Sequence, residues 1–250
     1  MRRALVSDIH GNRDALDAVM RDIAAQSVAE ILCLGDVIGY GPEPRECLEQ
    51  ASSYTVCLLG NHEDAALRYS EDFNEKARVA IEWTRQQLNS RDHPREQNHR
   101  YWGFIGRLQP QARCDGVLLV HGSPRDPVRE YILPRDARNQ EKMGEIFSLI
   151  DGPVCFVGHS HVPGVYTEDG RYLSPRLLPD GYLLGSGKVL VNVGSVGQPR
   201  DGDSRASYVI WDDERVLFRR VEYDFRTTMR KIIETGALPR YLADRLETGR

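Results

Sequence analysis

The chain has 250 residues, 40% of them apolar and 28% charged, which is enough for a sizeable hydrophobic core in an ordinary globular protein. Its 33 basic and 37 acidic residues leave a formal charge of −4 with no basic block, which speaks against a binder of long nucleic acid that relies on bulk positive charge. No run approaches the ~20 apolar residues of a membrane span, and polar residues from Ser7 onward interrupt any signal-peptide core. No membrane partner and a cytoplasmic location are therefore expected.

Six short apolar runs at 4–6, 31–34, 54–59, 117–120, 154–157 and 189–193 each break off into small and polar residues and read as buried strands. Between the first two, Asn12 is a plausible cap for a helix whose Leu16, Val19, Met20 and Ile23 share one face. A second helix is expected over 44–51, with Pro44 in its first turn. A longer one is expected from about Asn74 to Asn89, where Ala77, Ile81, Thr84 and Leu88 repeat at helical period. Residues 90–100, including His93 and His99, read as an exposed loop. Beyond Val165 the pattern turns to hairpins at Asp169-Gly170, Asp180-Gly181 and 212–214, and the chain closes on helices over 227–234 and 239–246. Without an internal linker or repeat, the expectation is one domain over 1–250 with a helical tail from about residue 226, built on two packed sheets with helices outside.

The five cysteines, Cys33, Cys47, Cys57, Cys114 and Cys155, are scattered and form no C-x-x-C pair; the apolar settings of Cys33, Cys57 and Cys155 suggest small core residues. Trp83, Trp102 and Trp211 fit core or interface positions, because no basic residues are interleaved with them to make a nucleic-acid groove.

The polar residues that follow the strands are ordered. They read Ser7-Asp8-Ile9-His10-Gly11-Asn12, Gly35-Asp36, Gly60-Asn61-His62-Glu63, His121-Gly122-Ser123 and Gly158-His159-Ser160-His161, and five of the seven histidines lie in them. Ligands of α/β sheets gather at the carboxyl ends of strands, so five strands would deliver these groups to one edge. Asp8 with His10, and His159 with His161, stand at i, i+2, which in an extended segment aims both side chains of a pair to one side. The candidate ligands are Asp8, His10, Asp36, Asn61, His121, His159 and His161: four imidazoles, two carboxylates and an amide. One ion cannot use them all, whereas two ions sharing a carboxylate can, and mixed N/O ligation suits divalent Mn, Fe, Zn, Co or Ni. With a bridging hydroxide such a centre would carry a net charge of about +1, an electrostatic trap for a phosphate ester.

This order of motifs resembles the calcineurin-like metallophosphoesterase superfamily over nearly the whole chain. Gly39-Tyr40-Gly41-Pro42-Glu43-Pro44 and the segment from Gly194 to Asp203 resemble its bacterial and archaeal branch near the YfcE-type phosphodiesterases. The resemblance implies a four-layer α/β/β/α sandwich of two mixed sheets with a two-metal site at one edge. It implies that Asp8, His10 and His161 hold the first metal, that Asn61, His121 and His159 hold the second, and that Asp36 bridges them. His62 would stay off the metals and act as the catalytic residue on the substrate. It would protonate the leaving alkoxide or hold a phosphoryl oxygen while a metal-bridging hydroxide attacks phosphorus. The acidic residue and arginine that follow G-D in the protein phosphatases of the superfamily are missing from Val37-Ile38-Gly39-Tyr40-Gly41. Glu63 beside His62 is expected to point away from it. Arg200 is the candidate phosphate-binding residue, and Arg125 a weaker one. The expected function is hydrolysis of a small phosphomono- or phosphodiester; a metal-binding scaffold of the same fold and a small-nucleotide nuclease or phosphodiesterase are the alternatives. Oligomerisation remains open.

Overall fold

The structure, a computed structural model, describes residues 1–68 and 73–250. The first half runs β1 (Arg3–Val6), α1 (Arg13–Ala24), β2 (Glu30–Cys33), α2 (Pro44–Ala51), β3 (Val56–Cys57), α3 (Asn61–Leu67), α4 (Glu75–Leu88), α5 (Arg95–Ile105), β4 (Gln111–Cys114) and β5 (Val117–Val120). After α6 (Gln140–Ser148) come β6 (Val154–Val157), β7 (Gly164–Thr167), β8 (Tyr172–Leu173), β9 (Tyr182–Leu183), β10 (Val189–Asn192), β11 (Ala206–Trp211) and β12 (Arg215–Val221), then α7 (Phe225–Glu234) and α8 (Arg240–Thr248). No helix among the described residues is long and apolar enough to cross a membrane.

The strands form two six-stranded mixed sheets, in the orders β3-β2-β1-β11-β12-β9 and β4-β5-β6-β10-β7-β8. Within the first, β1, β2 and β3 are parallel; within the second, β5, β6 and β10 are parallel. Alternation along each strand builds the layers. In the first sheet Leu5, Leu32 and Val209 face Leu119, Phe156 and Val191 of the second, whereas Ala4, Val6 and Tyr208 pack on Leu16, Val19 and Leu48 of the helices outside. Across the second sheet, Cys155, Val157 and Leu190 turn outward onto Met143, Ile146 and Phe147 of α6. The result is the four-layer α/β/β/α sandwich. A smaller cluster ties α7 and α8 to α4 through Ile232, Leu242, Leu246, Ala80 and Trp83.

The predicted helix starts hold in detail: Asn12 accepts a hydrogen bond from the Ala15 N–H and Asn74 one from the Ala77 N–H, each at 3.1 Å. Two expectations need correction. Residues 90–100 are not wholly loop, because α5 starts at Arg95. Its buried anchors are Asn98, Tyr101 and Ile105, and Asn98 accepts from the Arg45 guanidinium at 2.8 Å, so a polar residue hides the helical period. Nor does Asp180-Gly181 close a hairpin between neighbours. β8 pairs with β7 in the second sheet and β9 with β12 in the first, so the turn carries the chain between sheets. The turns at Asp169-Gly170 and 212–214 do close hairpins, β7-β8 and β11-β12. All five cysteines are free thiols, with Cys33, Cys47 and Cys155 fully buried. Trp83 and Trp211 are buried, and Trp102 donates to Asn89 at 3.0 Å.

Candidate metal centre

The loops after β1, β2, β3, β5 and β6 interlock at one edge of the sandwich. The Asp8 N–H donates to the Gly35 carbonyl at 3.0 Å, the His10 N–H to the Asp36 carbonyl at 2.9 Å, and the Gly158 N–H to the His121 carbonyl at 2.9 Å. The segments are not extended, as the i, i+2 argument assumed. Asp8 (φ 54°), His10 (51°), Asp36 (55°), His159 (63°) and His161 (59°) all take the left-handed conformation, which costs of order 1–3 kcal/mol per residue when the side chain is not glycine. The pair His159 and His161 consequently parts, one ring going to each of two neighbouring clusters.

In the first cluster His10 Nε2 lies 3.1 Å from His161 Nε2, and Asp8 Oδ1 lies 3.2 Å from His161 Nε2 and 3.8 Å from His10 Nε2. In the second, His121 Nε2 lies 3.1 Å from His159 Nδ1, 3.0 Å from Asn61 Oδ1 and 3.4 Å from Asp36 Oδ2. The same Asp36 oxygen is 3.7 Å from His10 Nε2, so this carboxylate stands between the clusters. These separations match donors placed about 2.1 Å from a shared ion, which sit roughly 3 Å from one another.

The hydrogen bonds on the far side of each ring make the case for a cation stronger. His10 Nδ1 faces the Ile38 carbonyl at 3.1 Å, His161 Nδ1 that of Gln198 at 2.5 Å, and His121 Nδ1 that of Leu34 at 3.0 Å; His159 Nε2 faces that of Arg129 at 3.0 Å. A carbonyl can only accept, so each of these nitrogens carries the proton, and in the neutral ring, the form that binds a metal, each opposite nitrogen turns a bare lone pair inward. Four lone pairs then face each other in two pairs beside the Asp8 and Asp36 carboxylates and the Asn61 oxygen. Asp8 Oδ1 is buried without a hydrogen-bond partner. Such a donor set fits metal ions, and the carbonyls behind the rings are the supports that metal-ligating histidines use.

Burial pushes the imidazoles of His10 and His161 down, and that of His159 to about 3. His121 goes the other way, to about 9: burial opposes the charged ring, but the carboxylates of Asp36, Asp8 and Glu63 together override it and draw positive charge to this part of the site.

His62 lies against both clusters, its Nε2 3.9 Å from Asp36 Oδ2, and with His10 and Asp36 it makes a third close set of possible ligands. Aromatic packing orients it in place of an acidic partner. The rings of Tyr40, His10 and Phe73 lie 4.4, 4.6 and 5.1 Å away, and a Cβ at Gly39 (φ +87°) would fall 2.1 Å from His62 Nδ1. Burial lowers the His62 pKa to about 4, with Asp36 opposing the shift and the Arg200 charge adding to it, so the ring is neutral at pH 7. Glu63 does turn away from His62, but into the fold. Its carboxylate accepts the backbone N–H groups of Asp36 (2.8 Å), Ile38 (3.0 Å) and Gly60 (3.1 Å), and so fixes the loop that carries Asp36.

Arg200 reaches the site. Its guanidinium lies 5.9 Å from the Tyr40 ring, one nitrogen donates to Gln198 Oε1 at 2.9 Å, and Nε is buried without a partner. Arg125 is paired with Glu130 and Glu145 at the surface. His93 and His99 are exposed. Sequence reasoning missed Phe73, Arg129 and Tyr131, which line the approach to the second cluster. No spacing rule marks them; only Tyr40 lay within a segment already singled out.

Residues 1–215 match the calcineurin-like phosphoesterase superfamily domain. The chain belongs to this superfamily. It is 36% identical to an uncharacterized protein of Methanocaldococcus jannaschii, over 99% of this chain and 98% of that one. The crystal structure of a metallophosphoesterase from Sphaerobacter thermophilus superposes with a TM-score of 0.83 at 40% identity, covering 100% and 99% of the two chains. A hypothetical protein from Pyrococcus horikoshii shares the fold, with a TM-score of 0.77 at 19% identity and coverage of 100% and 98%. The superfamily is one of phosphoesterases.

Proposed function

We propose that this superfamily member hydrolyses a small phosphomono- or phosphodiester and that it uses two divalent transition-metal ions. The observation that carries the reading is the Asp36 carboxylate, whose Oδ2 lies 3.7 Å from His10 of one cluster and 3.4 Å from His121 of the other. Asp8, His10, His161 and Asp36 would hold one ion, and Asp36, Asn61, His121 and His159 the other. When bound, the ions supply Lewis-acid charge for the phosphoryl oxygens and lower the pKa of a water at the site.

The remaining work falls to the chain's own side chains. With Nδ1 packed against Gly39, His62 presents Nε2 to the centre. A neutral imidazole donates a hydrogen bond there without giving up its proton, so His62 holds a phosphoryl oxygen as charge develops on it. Of the two roles that sequence left to His62, this reading takes the second. Arg200 supplies a planar guanidinium, with one donor free, for the outer oxygens of the same phosphate. Glu63 and the interlocked loops keep these groups fixed.

The test is metal analysis of purified protein followed by a panel of p-nitrophenyl mono- and diesters with Mn, Fe, Co, Ni and Zn. Two ions per chain and hydrolysis abolished by a chelator are expected. Two ions with no hydrolysis of any ester would instead favour the scaffold, and one ion at saturation would remove the binuclear reading.

A further inference from the structure

Beside the second cluster lies a cleft of about 330 Å³. Asn61 and His159 form its inner end, and its walls are Tyr40, Phe73, Tyr131 and Ala77. Among the described residues no carboxylate lines it.

Tyr131 is the telling residue. Its ring stacks on the buried His159 imidazole, centroids 3.7 Å apart and planes 23° off parallel, yet the residue keeps 45% of its surface exposed. A large ring left open to water adds little to the core, and aromatic side chains at binding sites commonly stack on flat ligands. Tyr40 and Phe73 also flank His62, so the cleft adjoins the point where the phosphate group would be held. Arg200, 5.9 Å from the Tyr40 ring, stands at the same end as that phosphate. The guanidinium of Arg129 binds the buried Asp64 carboxylate at 2.5 Å, and its carbonyl faces His159 Nε2, which ties this wall to the cluster.

We infer that the cleft walled by Tyr40, Phe73 and Tyr131 binds a flat aromatic group on the ester arm of the substrate, beside the phosphate. This rests on the phosphoesterase reading and adds its substrate class. The volume lies at the lower end of small-molecule sites and suits one ring system of the size of a phenyl group or a nucleobase. A nucleoside and a simple aryl alcohol both supply that chemistry.

The experiment measures dissociation constants by calorimetry on Mn-loaded protein, so that no turnover is needed. Phenylphosphonate should bind about tenfold or more tightly than methylphosphonate, as ring stacking predicts, and more tightly than cyclohexylphosphonate. Tyr131→Ala should erase that preference and Tyr131→Phe should keep it, while metal content stays at the wild-type level in both. The non-hydrolysable methylenephosphonate analogues of adenosine 5′-monophosphate and ribose 5-phosphate tell the sources apart: a preference for the adenine compound that exceeds the phenyl preference assigns a nucleoside, and a smaller one assigns an aryl group. Equal affinities for phenyl, cyclohexyl and methyl phosphonates, or a preference that survives Tyr131→Ala, would overturn the inference. Ring discrimination without hydrolysis of any ester would keep the cleft and sink the reaction; hydrolysis without discrimination would do the reverse.

Discussion

The floor of the site and its rim are built by different means. On the floor, Asp8, His10, Asp36, His121, His159 and His161 are buried, and each ring is held from behind by a backbone carbonyl. On the rim, side chains are positioned chiefly by other side chains: Arg200 by Gln198, Arg129 by Asp64, and Tyr131 by stacking on His159. The geometry of the floor is thus written into the backbone of the strand-end loops, and that of the rim into contacts between side chains.

The sharpest way to break the contrast is Asp36→Asn. Loss of an outer partner of a metal ligand already costs about 10–100-fold in affinity or activity, so loss of a shared ligand should exceed about 10²-fold and empty both positions. Asp8→Asn should weaken mainly one. Metal stoichiometry by elemental analysis decides between these outcomes, and an Asp36→Asn protein that retains two ions would contradict the bridging role.

His62→Ala comes next, because the residue belongs to the floor by burial and to the rim by its aromatic packing. Turnover should fall about 10²–10³-fold with metal content unchanged, the loss expected for a donor to developing oxyanion charge. The loss should be equal for esters whose leaving groups differ in pKa. A loss that shrinks for p-nitrophenol would restore the proton-donor role.

Glu63→Gln tests the support beneath Asp36. The amide cannot accept all three backbone N–H groups, and an unsatisfied buried donor costs about 1–3 kcal/mol. Thermal unfolding should drop by several degrees, on the order of 2–4 °C per kcal/mol for a chain of this size, with a matching fall in metal affinity. An unchanged melting temperature would show that the loop holds itself.

Arg200→Ala should have the smallest effect: KM rises by about tenfold while kcat falls less, provided the guanidinium already meets the phosphate in the ground state. Arg200→Lys should recover only part of the loss, since an ammonium lacks the planar fork. Unchanged kinetics in the alanine variant would remove Arg200 from the substrate.

Much of the floor was legible in sequence because its residues follow short apolar runs, and strand ends are where α/β sheets place ligands. The helices capped by Asn12 and Asn74 were legible for a similar reason, a polar cap before an apolar period. Helix α5 was not, since its buried anchor Asn98 is polar and satisfied by Arg45 from another helix. The sheet-crossing turn at 180–181 was missed because a turn dipeptide specifies a reversal and not the partner of the next strand.

By itself, then, the sequence determined the superfamily, the layered fold and the candidate roster of metal-ligating side chains, since local periodicity and ordered motifs encode all three. Only the tertiary structure decided how the roster divides. Left-handed backbone at five ligand positions sends His159 and His161 to different clusters, and carbonyls from Ile38, Leu34, Arg129 and Gln198 choose which nitrogen of each ring faces inward. It alone replaced the missing acidic partner of His62 with Tyr40, Phe73 and Gly39, and brought Tyr131 over His159 to make the cleft. These contacts join residues distant in the chain through packing and backbone conformation, which no spacing along a sequence records.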